Sequence, residues 1–155
     1  MDRSRITLAL ESSEFFKGLD AEEIGRVAGL CEPVTYEAGE FVFQQGDFGE
    51  HLYVIVDGQV FLERNMDLGH RQGHVVIAAL GRGRVLGCWS TLLGEPHVLM
   101  SSAVCQKPTR LLAMRGDDIR EMMVGNTAIG FKVMEKFCFL LRDRIQAAYG
   151  ALEKL

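Results

Sequence analysis

The sequence predicts a mainly β domain flanked by helices, of the sandwich or jelly-roll type, with a long helix near the C-terminus. Three observations lead there. Between Val34 and Met114 the chain breaks into short runs of β-branched and aromatic residues, with no helical stretches alternating between them. That pattern favours stacked antiparallel sheets over a parallel α/β sheet. The 155 residues include 17 glycines and only 3 prolines, a surplus that matches many tight turns. On both sides of the region, apolar residues recur at the helical period of 3.6.

The elements follow in order. Asp20 is placed to cap a helix, and Glu22 and Glu23 suit the positive end of its dipole. Ile24, Val27, Ala28 and Cys31 form its apolar stripe, and Glu32-Pro33 ends it. Strands are expected at Val34–Tyr36, Phe41–Phe43, Leu52–Val56, Gln59–Glu63, His74–Leu80, Val98–Cys105 and Arg110–Met114. Turn signals separate them, and Asp57-Gly58 reads as a two-residue hairpin. Asn65–Gly73 reads as a longer hairpin loop. Asp117–Met123 is a short helix closed by Gly125-Asn126. Asn126 or Thr127 then caps a long helix with apolar positions Ile129, Val133, Phe137, Leu140, Leu141, Ile145, Ala148 and Leu152.

Composition narrows the class. Apolar residues make up 48% and charged residues 25%, ordinary for one folded domain. The 17 basic and 21 acidic residues leave a formal charge of −4, which advertises neither nucleic acid nor an anionic membrane as a partner. The longest wholly apolar stretch, Val75–Leu80, falls far short of the ~20 residues that cross a bilayer. Ile6–Leu10 is too short for a secretory core, so the expectation is a cytoplasmic protein. Cys31, Cys88, Cys105 and Cys138 are widely spaced and read as reduced thiols.

Specific residues now carry a resemblance. Phe15-Phe16-Lys17-Gly18-Leu19 is followed by a helix, then by Ala38-Gly39-Glu40-Phe41-Val42-Phe43-Gln44-Gln45-Gly46-Asp47, then by Leu52-Tyr53-Val54-Ile55-Val56-Asp57-Gly58-Gln59-Val60. This ordered string resembles the cyclic-nucleotide-binding domain family, which includes bacterial catabolite activator proteins, kinase regulatory subunits and gated channels. The resemblance implies an eight-stranded antiparallel jelly roll (a double-stranded β-helix) with N-terminal helices and a long C-terminal helix. It implies a single domain: a helical part over 1–31, a β-roll over 33–115 and C-terminal helices over 116–155.

The family's ligand sits against a phosphate-binding cassette that usually runs Phe-Gly-Glu, a short helix, then Arg and small residues. A carboxylate accepts from the ribose hydroxyl, backbone N–H groups face the phosphate, and the arginine contacts the phosphate. The resemblance maps the pocket onto Leu86, Gly87, Cys88, Trp89, Ser90, Thr91, Met100, Ser101, Ser102 and Ala103. Gly87 keeps the pattern. Cys88 stands in the glutamate's place and Met100 or Ser101 in the arginine's, and no Arg or Lys occurs between Arg84 and Lys107. Cyclic AMP or cyclic GMP is therefore expected to bind weakly or not at all. Cys88, Trp89, Leu92 and Met100 would make a more apolar pocket than usual, open to another small ligand or filled by its own side chains.

Other constellations are weaker. Gly81-x-Gly83-x-x-x-Gly87 lacks the βαβ context of a phosphate loop, and Arg82 and Arg84 read as residues of an exposed turn. Cys88 with His97 is too small a set for haem or metal. His51, His70 and His74 read as surface residues. No catalytic motif is present, so no enzyme, cofactor or metal is expected. In the catabolite-activator branch the long helix pairs with its twin. The resemblance thus implies a homodimer through Val133, Phe137, Leu140, Leu141 and Ile145, unless that stripe packs wholly on its own barrel. The expected function is a stand-alone regulatory or sensor domain whose ligand shifts the C-terminal helix, read by an unknown downstream protein. The alternative is a ligand-free dimerisation or interaction module.

Overall fold

The inner strands of one of the two sheets are buried on both faces, and this shapes everything around them. The computed structural model describes residues 1–87, 92–95 and 97–154. Helix α1 spans Arg3–Glu11 and α2 spans Ala21–Ala28. The described residues then form β1 (Glu32–Tyr36), β2 (Phe41–Phe43), β3 (His51–Asp57), β4 (Val60–Asp67), β5 (Gln72–Leu80), β6 (Val85–Leu86), β7 (Ser102–Cys105) and β8 (Thr109–Arg115). Two helices follow, α3 (Gly116–Gly125) and α4 (Thr127–Glu153). The sheets run β1-β8-β3-β6 and β2-β7-β4-β5, with antiparallel pairing throughout. This is the expected eight-stranded roll.

Strand alternation divides the core in two. Leu52 and Val54 of β3, and Leu112 and Met114 of β8, pack on the helices with Leu10, Phe15, Phe16, Ile24, Val27, Val133 and Phe137. Their neighbours Tyr53, Ile55 and Leu111 face into the roll with Val60, Leu62, Leu80, Leu86 and Ala103. A strand covered on both faces has no side to leave polar. That is why Leu52–Val56 and Leu111–Met114 are unbroken apolar runs. Each such side chain, fully buried, contributes about 1.5–3 kcal/mol.

The helices form where the caps lie. The Asp20 side chain accepts from the Glu23 N–H at 2.8 Å, and Glu23 accepts from the Asp20 N–H at 2.9 Å. Lys132 of α4 donates to the same Glu23 carboxylate at 2.9 Å, joining α2 to α4. The Asp20 N–H and then Lys132 hold the Glu23 carboxyl below its usual range. Asn126 caps α4 by accepting from the Ile129 N–H. Pro33 sits in β1, an edge strand, where a missing N–H is tolerated. No helix of the described residues is long and apolar enough to cross a membrane.

Several expectations change. Asp57-Gly58 is a tight turn but not a hairpin, because β3 and β4 belong to different sheets. A Cβ on Gly58 would lie 2.3 Å from the Thr109 hydroxyl oxygen, and that hydroxyl accepts from the Gln59 N–H. The turn is thus closed by β8. β4 and β5 reach into the expected Asn65–Gly73 loop, pairing through Asp67 and Gln72 and leaving only 68–71 as the turn. The Val98–Cys105 strand shortens to Ser102–Cys105, with Val98 in a single bridge to Phe48. β6 is an addition, and α1 lies within the part over 1–31 expected to be helical.

Candidate ligand pocket in the roll

The open end of the roll is built by β2, β3 and the segment between them. The Gly46 N–H donates to the Leu99 carbonyl at 2.9 Å, the Leu99 N–H to Asp47 at 2.7 Å, and the Gly49 N–H to His97 at 3.3 Å. The Gln45 N–H donates to the Ser102 hydroxyl at 2.9 Å, and the Arg64 guanidinium donates to the Met100 carbonyl. Residues 97–102 are therefore held against the β2–β3 connection on one side and against β4 on another.

A cavity of about 200 Å³ lies here, lined by Val42, Phe43, Asp47, Phe48, Gly49, Glu50, His51, Tyr53 and Leu99. Its aromatic wall is pre-packed: the Phe43 and Tyr53 rings lie 6.3 Å apart, and His51 and Tyr53 lie 5.9 Å apart. Burial pushes the Tyr53 hydroxyl up to about 12, with Tyr36 adding to the effect, so it remains a neutral donor. Asp47 and Glu50 are its acidic lining residues, the Asp47 carboxylate accepting from the Gln44 N–H at 3.2 Å, and no described lining residue is an arginine or lysine. At about 200 Å³ the cavity is smaller than the ~300–1,000 Å³ of ordinary ligand sites.

Gly87 flanks this wall. Leu86 pairs with Tyr53 across β6 and β3, and the chain turns at Gly87 with φ +74°. A Cβ there would fall 2.5 Å from the His51 carbonyl oxygen, so only glycine allows the approach. Of the residues expected to line the pocket, Leu86 and Ala103 are buried in the roll core, Ser101 and Ser102 are half-buried, and Met100 is exposed. Leu99, next to Met100, lines the cavity. Cys88, Trp89, Ser90 and Thr91 lie outside the described residues. Sequence reading did not pick out Asp47, Glu50 or Tyr53 as lining residues, and it put His51 on the surface. The period-2 pattern places Tyr53 on one face but does not say which face carries a cavity.

Beyond the cassette, Leu92 is fully buried in the helical core, and the Arg120 guanidinium of α3 donates to its carbonyl. Of the residues expected at a dimer contact, Val133, Phe137 and Leu140 are buried against the chain's own core. Leu141 is partly buried there, and Ile145 is 52% exposed.

The two antiparallel sheets form a roll, with helices packed against one of them and a small cavity between β2, β3 and the segment that carries Leu99. The chain belongs to the cyclic nucleotide-binding domain family, whose pattern it matches over residues 33–126. It is 33% identical over 109 residues to a cyclic AMP receptor protein of Thermus thermophilus, covering 70% of this chain and 48% of that protein. It is 29% identical over 102 residues to a cAMP-dependent protein kinase regulatory subunit of Schizosaccharomyces pombe, covering 66% of this chain and 22% of that one. The chain thus spans less than half the length of these curated relatives. Among solved structures, a cyclic nucleotide-binding domain from Methylobacillus flagellatus superposes with a TM-score of 0.81 at 21% identity, covering 99% of this chain and 84% of that one. The catabolite activator protein of Thermus thermophilus gives 0.70 at 30% identity, covering 91% and 62%.

Proposed function

We propose that this chain is a regulatory domain that senses a small ligand in its roll, passes the state of the pocket to another protein through α4, and binds cyclic AMP and cyclic GMP weakly or not at all. The observation that carries this is charge. The residues lining the pocket include Asp47 and Glu50 and, among those described, no arginine or lysine, and the cassette has Cys88 and Met100 or Ser101 where the family's usual pattern has glutamate and arginine. A charge-assisted hydrogen bond contributes about 1.5–3 kcal/mol. Losing two of them weakens binding by about two to four powers of ten. Transmission is supported by Leu92, which sits in the core of α3 and α4 and whose carbonyl Arg120 holds. A change at the cassette therefore meets the helices directly.

Calorimetry with each cyclic nucleotide tests the reading. The expected result is no micromolar binding by the natural chain, and at least about tenfold tighter binding after Cys88→Glu is combined with Met100→Arg or Ser101→Arg. Micromolar or tighter binding by the natural chain would overturn it.

A second reading, dimerisation without ligand, is favoured by a separate observation. The face of α4 opposite its buried stripe exposes Phe131 (70%), Ile145 (52%), Tyr149 (64%) and Leu152 (60%). A helix apolar on two sides has a use for two partners.

A further inference from the structure

The chain as a whole is acidic, at −4, yet three arginines and only one acidic residue, Asp57, are among the residues that line one cleft. This cleft, of about 250 Å³, lies where α1 meets the end of β3. Arg5, Leu8, Ser12, Asp57, Arg82 and Arg110 line it, and none of the residues expected in the roll pocket does.

Each arginine is carried by a fixed element. The N–H of Arg5, in the first turn of α1, is bound by the Asp2 cap at 2.9 Å. Arg110 lies in β8, in register with Thr35 of β1 and Asp57 of β3. Arg82 sits on a turn pinned from both sides: the Gly83 N–H donates to Ile55, and the Glu14 N–H donates to the Gly83 carbonyl, both at 2.8 Å. Gly83 has φ +84°, and a Cβ there would approach the Ser12 carbonyl to 3.0 Å, so the turn rests on the end of α1.

Two of the charges are uncommitted, and the third is held by one long, exposed ion pair. Arg82 reaches Asp57 only at 3.9 Å, and the guanidinium groups of Arg5 and Arg110 make no hydrogen bond or ion pair among the described residues. Neighbouring Arg84 is the contrast, since it is bound to Glu14 at 2.9 Å. Cations gathered around one carboxylate repel each other unless an anion joins them. The planar guanidinium fork matches the oxygens of a phosphoryl group. Exposed Leu8 adds an apolar edge.

We propose that this cleft binds the phosphoryl end of a small ligand, with Arg5, Arg82 and Arg110 as its donors. The site is separate from the roll pocket and does not rest on the function proposed above. Its volume suits a phosphoryl group with a few further atoms.

The test is calorimetry on the full chain with inorganic pyrophosphate at constant ionic strength. The expected result is saturable binding at about millimolar concentration or tighter. Arg82→Ala and Arg110→Ala should each weaken it about tenfold or more. Arg82→Lys, which keeps the charge but loses the fork, should fall between. Arg71→Ala, which removes one charge from the β4–β5 turn, should leave affinity unchanged. Thermal midpoints confirm that each variant is folded. Absence of saturable binding at about 10 mM overturns the proposal, and so does equal weakening by Arg71→Ala, the signature of unspecific charge.

Discussion

Gly87 and Gly39 have the same backbone requirement and different surroundings, and the pair separates strain from collision. Gly87 has φ +74° and its missing Cβ would lie 2.5 Å from the His51 carbonyl oxygen. Gly39 has φ +87° and would meet nothing within 4 Å. Alanine at either position forces an L-residue into a sparsely populated region at about 1–3 kcal/mol. At Gly87 it must also push β6 away from β3, at the wall of the pocket. Gly87→Ala is therefore expected to lower unfolding stability in urea clearly more than Gly39→Ala does. Equal losses would mean that the His51 contact carries no energy. Glycine at this position was legible in the sequence, because the family's pattern keeps it there. The reason for it was not, because His51 is a strand neighbour and no local motif announces it.

At the level of elements, Glu14 joins what the chain order separates. Its carboxylate accepts from the Arg84 guanidinium at 2.9 Å and from the Val85 N–H at 2.8 Å, residues 70 and 71 positions further on. Val85 is fully buried, so without Glu14 its N–H is stranded away from water. Glu14→Ala is expected to cost about 1–3 kcal/mol of unfolding free energy. Glu14→Gln, which keeps a carbonyl oxygen for Val85, should cost less, and a loss as large as alanine's would place the energy in the Arg84 ion pair instead. No sequence signal marks Glu14, since its partners are distant and its own neighbours are an unremarkable turn. The same limit explains what else was missed. β6 has two residues, too few to show alternation. The turn at Asp57-Gly58 looks identical whether it closes a hairpin or passes between sheets, and only Thr109 on β8 decides it. Strands and helices of ordinary length were legible because they carry their own periodicity. The sheet partners and the cavity-facing side were not, because they are properties of pairing.

For the whole molecule, the open question is what lies against the outer face of α4. Phe131, Glu135, Cys138, Arg142, Ile145, Tyr149 and Leu152 follow each other at alternating steps of four and three, the spacing of a two-helix seam. Every one of them is exposed, while Val133, Phe137 and Leu140 on the other side are buried in the chain's own core. The seam thus begins where the intramolecular stripe leaves off, and its apolar residues concentrate at Ile145, Tyr149 and Leu152. Sedimentation equilibrium is expected to show a dimer. Ile145→Asp combined with Tyr149→Asp should return it to a monomer with unchanged far-ultraviolet circular dichroism, since neither side chain supports the core. Parallel pairing about a twofold axis would bring equal positions together, and so set exposed Cys138 opposite its copy within the ~4.4–6.8 Å Cα separation of a disulfide. Mild oxidation with diamide, which takes up the two thiol hydrogens, should then give a covalent dimer. Cys138→Ser should abolish it, and so should the two aspartates. A natural chain that sediments as a monomer at about 100 μM would leave α4 without a second copy as its partner, because an interface of standard size holds well below that concentration.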